Sequence, residues 1–102
     1  MTNMEDFGNI AIMAFVHAKP ESKELVRDAA MRLVAPTRLE DGCICYKLHQ
    51  DKEDDLLFIF YEIWENEEKL TKHTQTTHFK SFQENTQGAV TDFVVKKTKL
   101  LL

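Results

Sequence analysis

Nine consecutive residues, Leu56 to Trp64 (LLFIFYEIW), constrain this chain more than any other stretch. Successive side chains of a strand point to opposite faces. Phe58, Phe60, Glu62 and Trp64 therefore share one face, and Leu57, Ile59, Tyr61 and Ile63 the other, so both faces are apolar. Aromatic and β-branched residues at this density predict a central strand that is covered on each side. A chain of 102 residues is too small to supply both covers comfortably. Its own helices can cover one face; the other calls for a partner, most simply a second copy of the chain.

The flanking segments supply the rest of a sheet and its helices. Ile10 to Val16 is a short apolar run that suits a buried strand. Lys19-Pro20-Glu21 opens a helix, with Pro in the first turn and Glu21 and Glu24 at the positive end. Leu25, Val26, Ala29, Ala30, Leu33 and Val34 recur at helical spacing, and Pro36 is expected to end or kink that helix. After the Asp41-Gly42 turn, Cys43 to Gln50 alternates: Ile44, Tyr46 and Leu48 on one face, Cys43, Cys45, Lys47 and His49 on the other. Asn66 is an expected N-cap, with Glu67 and Glu68 in the first turn, and Thr76 or Thr77 caps a second short helix carrying Phe79 and Phe82. Gly88 closes that helix, and a last strand runs through Val90 to Val95.

The resulting order, β-α-β-β-α-β, is the α+β ferredoxin-like arrangement with an antiparallel sheet. It is read as a single domain over 1–102, with its core at about 8–99. A formal net charge of −4 with no basic face argues against nucleic acid. The start, MTNMEDFGN, lacks the apolar core of a signal peptide, and no stretch reaches the length of a membrane span. Cys43 and Cys45 sit too close together to bridge easily and read as small hydrophobes in a reducing cytoplasm.

Three segments carry a family resemblance: LVAPTRLEDGCICYKLHQD, LLFIFYEIWENEEKL and TTHFKSF. Together they resemble the antibiotic biosynthesis monooxygenase family, in particular its small quinol-monooxygenase-like members. The resemblance implies a dimeric α+β barrel and a pocket between sheet and helices in each protomer. It also implies oxidation of a small aromatic quinol or phenol by O2 without flavin, haem or metal. The haem-degrading relatives share Trp64, but their haem histidine would fall near Gln83 and their strand-one asparagine near Ala14. A third branch, an isomerase of a small phosphorylated dione, shares the pattern around Thr76-Thr77-His78-Phe79-Lys80. That isomerase and a non-catalytic dimeric ligand-binding protein are the alternative readings.

Four histidines are available, and two of them lie in HTQTTHF, from His73 to Phe79. His73 follows Leu70 by about one turn and should face the central strand, where it is the expected catalytic base. Glu62, a carboxylate among aromatics, must be paired or have a raised pKa; it is the expected orienter of His73, or alternatively the partner of Arg38 or a lysine. Trp64 and His78 are expected contacts to substrate oxygens, with Phe58, Phe60, Phe79, Phe82 and His49 completing the pocket. His73 and His78 lie five apart across a helix break and lack an evident third ligand, so no metal site is expected.

Overall fold

The structure is a computed structural model that describes residues 9–102. The leading segment, and with it the signal-peptide reading, lies outside the described residues. Strands β1 (Ile10–Ala18), β2 (Cys43–Gln50), β3 (Leu57–Trp64) and β4 (Val90–Thr98) form one antiparallel sheet in the order β2-β3-β1-β4. A 3-10 turn (Pro20–Ser22) leads into α1 (Lys23–Arg38), and α2 (Glu67–His73) and α3 (Thr77–Asn85) fill the connection from β3 to β4. The α+β ferredoxin-like arrangement read from the sequence is therefore the observed one. Among the described residues no helix is long and apolar enough to cross a membrane.

The two faces of β3 separate as its alternation requires. Phe58, Phe60, Glu62 and Trp64 are all buried beneath the helices, while Leu57, Ile59, Tyr61 and Ile63 are part-exposed on the open face. Ile12, Ala14 and Val16 of β1 pair beside the buried set, and Met13 and Phe15 beside the open one. From α1, Val26, Ala29, Ala30 and Leu33 close the core over the sheet. Each large side chain buried this way contributes about 1.5–3 kcal/mol of transfer free energy.

Two local expectations are corrected. Pro36 does not end α1: the helix runs through it to Arg38. Proline removes one N–H, but Thr37 Oγ1 donates to Leu33 O at 2.7 Å, and Leu39 and Glu40 N–H tighten onto the Pro36 and Thr37 carbonyls. The alternation of β2 also fails at its start. Cys43 pairs with Trp64 and Cys45 with the adjacent Ile63, so Ile44 is an extra residue in a bulge and is 56% exposed. Cys43 thereby packs against the core, whereas Cys45, Lys47 and His49 stay opposite the open-face residues of β3.

Candidate active site

The site is built where three chain turns meet. Asn66 caps α2 by accepting from Lys69 N–H at 3.0 Å, and α2 ends at His73. Thr76 Oγ1 accepts from Phe79 N–H at 3.2 Å, starting α3 so that His78 lies in its first turn. The third turn follows α1. There Gly42 takes φ 91°, a left-handed conformation that suits glycine, and any Cβ on it would lie 2.3 Å from the Lys69 side chain. Lys69 Nζ reaches across that turn to Asp41 at 2.6 Å, pinning α2 to the segment that carries Glu40.

Glu40 is the residue that joins the two histidines. Its Oε2 lies 2.7 Å from His73 Nδ1 and 2.6 Å from His78 Nε2. A carboxylate only accepts, so both nitrogens donate to it, which sets the tautomer of the neutral His73 ring. His73 therefore keeps its lone pair at Nε2, and that buried atom has no hydrogen-bond partner. The ring is only 2% exposed and is packed by Trp64 at 4.7 Å and Phe79 at 5.0 Å between centroids. Burial holds His73 below the ordinary imidazole value, although the bond to Glu40 pulls the other way.

Beside His73 lies a cavity of about 260 Å³ between β1, β3 and β4 and the α2–α3 layer. Ile12, Ala14, Leu70, Phe79, Phe93 and Val95 give it apolar walls, and Glu62 and His73 are its buried ionisable groups. Glu62 Oε1 accepts from Trp64 Nε1 at 2.8 Å. Burial without a cationic partner pushes this carboxyl up to about 7, against the opposing pull of the Trp64 bond. Lys97 and Glu67, which pair with each other, also line the cavity.

The sequence candidates thus divide. His73, Glu62 and Phe79 line the cavity, with Trp64 buried directly behind them. Phe58 and Phe60 belong to the core. His78 and Phe82 line a different, outer groove between α1 and α3, and exposed His49 sits in β2 paired with open-face Ile59. Arg38 does not pair with Glu62; its Nε donates to Tyr46 O at 2.9 Å. Glu40, the carboxylate bonded to His73, was not among the candidates. Burial pushes the Cys43 thiol up to about 11, which leaves it protonated and a poor nucleophile near neutral pH.

The sequence profile of the antibiotic biosynthesis monooxygenase family matches residues 9–85, which holds every element of the site except β4. This chain belongs to that family. Among relatives, the antibiotic biosynthesis monooxygenase (ABM) domain is 35% identical over 75 residues to the Synechocystis protein sll1783, covering 74% of this chain and 51% of that one. The chain therefore spans about half the length of that relative. It is 32% identical over 73 residues to YcnE of Bacillus subtilis, provisionally named a monooxygenase, covering 72% of this chain and 77% of YcnE. The ABM fold recurs in the crystal structure of PA3566 from Pseudomonas aeruginosa, with TM-score 0.90 and 30% identity over 93% of this chain and 96% of that one.

Proposed function

We propose that this ABM protein is a cofactor-independent monooxygenase that oxidises a small, uncharged aromatic quinol or phenol with O2. One observation carries the reading: His73 presents a buried, unpartnered Nε2 lone pair on a side chain lining an apolar cavity, with its other nitrogen held by Glu40. A quinol hydroxyl with a pKa near ~10 is almost wholly protonated at neutral pH, so its oxidation needs such a base.

The chemistry closes without a further reactant. His73 Nε2 takes the phenolic proton, and the electron-rich anion passes one electron to O2. The resulting radical pair joins at a ring carbon ortho or para to the oxygen that still bears hydrogen, and the Glu62 carboxyl protonates the distal oxygen to give a hydroperoxide. Loss of the ring C–H proton to Glu62 carboxylate then breaks the O–O bond. The departing hydroxide takes the proton from His73 and leaves as water. Substrate and O2 become quinone and water, and both residues return to their starting forms. Apolar walls suit these steps, because charge beside them is stabilised more by fixed groups than by solvent.

The phosphorylated-dione isomerase is the weaker reading. A phosphate needs cationic or N–H donors, and the one cation lining the cavity among the described residues, Lys97, is already paired with Glu67. The deciding experiment offers metal-free protein a panel of neutral quinols under air and follows O2 uptake. Uptake well above autoxidation, lost in His73→Ala, supports the monooxygenase. No uptake, with turnover of a phosphorylated dione, would favour the isomerase; neither, with tight aromatic binding, would leave a binding protein.

The reading includes a homodimer joined through the open sheet face. Ala11, Met13, Phe15, Leu57, Ile59, Tyr61 and Ile63 are part-exposed there, and Leu100 to Leu102 are exposed nearby in sequence to β4. A stable interface of this kind buries more than about 2,000 Å² in total. Light scattering at micromolar concentration should give twice the chain mass; a monomer would remove this part of the proposal. Free Cys43 and Cys45 fit a reducing, cytoplasmic setting.

A further inference from the structure

Glu40, His73 and His78 come from three separate elements, yet their donor atoms all lie within 4.8 Å of one another. The set contains two imidazole nitrogens and one carboxylate oxygen, the mixture favoured by zinc and its late first-row neighbours. Side-chain exposure rises along the set, from 2% at His73 through 12% at Glu40 to 26% at His78. His78 lines the outer groove between α1 and α3, and no residue that lines this groove also lines the cavity. An ion can therefore arrive from outside without passing through the cavity.

We propose that these three side chains form a divalent transition-metal site of the zinc class, loaded from the outer groove, which switches the cavity off as a proton acceptor. Ligands around tetrahedral zinc, each at ~2.0–2.1 Å, sit about 3.3 Å apart. Glu40 Oε2 now stands 2.7 and 2.6 Å from the two nitrogens, so it has to withdraw by roughly 0.6–0.7 Å from each. Its place in the Glu40–Gly42 turn, outside any helix or strand, lets it do so. Water from the groove completes the coordination.

The consequence lies on the far side of the His73 ring. Metal on Nδ1 moves the ring proton to Nε2, because a neutral imidazole carries one N–H. The cavity then loses its lone pair and gains an N–H donor in its place. The ion takes no part in the oxidation proposed above; it removes the base that oxidation uses. This part rests on that reading, whereas binding itself does not.

The test uses chelator-treated full-length protein titrated with Zn²⁺ by calorimetry and with Co²⁺ by absorption. One ion per chain is expected, with visible Co²⁺ bands of a low-coordinate site and a raised melting temperature. Histidine ¹⁵N spectra should show His73 Nε2 change from lone-pair to N–H type on adding Zn²⁺. Glu40→Gln and His78→Asn should each weaken binding by at least about tenfold, and His17→Asn should leave it unchanged. Binding that survives both Glu40→Gln and His78→Asn, or none at micromolar protein, overturns the site. Binding without the Nε2 change overturns the switch. None of these readouts needs a substrate, so their failure is distinct from failure of the monooxygenase reading.

Discussion

Among the described residues, imidazole–carboxylate contacts form in two places, and only one has the attributes proposed for a reactive centre. At the outer end of β1, His17 Nε2 lies 2.8 Å from Asp54 Oδ2, and its Nδ1 lies 3.2 Å from Thr91 Oγ1. In the core, His73 Nδ1 lies 2.7 Å from Glu40 Oε2. The distances are nearly equal; the surroundings are not. His17 and Asp54 side chains are 35% and 44% exposed, against 2% and 12% for His73 and Glu40. At the first pair both ring nitrogens have protein partners and the side chains remain open to solvent. At the second, burial leaves one nitrogen unpartnered and holds the imidazole neutral near pH 7. The reactivity proposed for His73 rests on the solvent that is missing, not on the pair itself.

Substitutions at the two pairs put that contrast at risk. The largest effect should come from His73→Ala, which should cut turnover of the quinol by roughly 10²–10⁴-fold, the usual worth of a positioned base. His17→Ala should leave turnover within about twofold, the behaviour of a surface pair. Equal losses in steady-state O2 uptake would erase the distinction. Next in size is Glu40→Gln, which keeps the shape but no longer fixes the His73 tautomer; a loss of roughly 10–100-fold in kcat is expected, less than the largest tautomer effects known. Asp54→Asn at the exposed pair should do almost nothing.

A smaller effect sharpens the role of burial. Glu62 has a folded-state pKa of about 7 against an ordinary 4.5, so the folded protein binds the extra proton between those values. Stability from this group is fully present below about 4.5 and is lost as pH rises through 7. Glu62→Gln removes that dependence, and at pH 8 it should be the more stable protein by up to roughly 3 kcal/mol, at ~1.4 kcal/mol per pKa unit. At pH 5 most of the gain should vanish. Urea melts at the two pH values measure it, and an equal gain at both would mean that packing, not charge, governs Glu62. His73 works in the opposite sense: its lowered pKa gives stability above 6.5 that fades as pH falls.

The pattern of what the sequence disclosed follows from range. The faces of β3 were legible because period-two alternation is local, and the Asn66 and Thr76 caps because capping spans three residues. His73 was legible as an inward residue one turn from Leu70. Its partner was not, because Glu40 lies 33 residues away in a turn whose course depends on a helix continuing through Pro36. Nothing in Leu39-Glu40-Asp41 distinguishes that glutamate from its acidic neighbours. Glu62, the nearer guess, was drawn away by Trp64. The bulge at Ile44 was equally hidden, since an inserted residue leaves the apolar count of β2 unchanged.

Gly42 carries no functional group, yet the Lys69 side chain lies where its Cβ would be. The gap between the Glu40 turn and α2 is thus fixed by two chains in direct contact, and Glu40 meets His73 across that gap. Adding one methyl at Gly42 would thicken a spacer, and the error would appear two residues away as a lengthened carboxylate–imidazole bond. A scan of activity alone would then rank this position beside the histidine, although it touches neither substrate nor proton. Selection on a reaction can in this way act on a residue whose whole contribution is thinness.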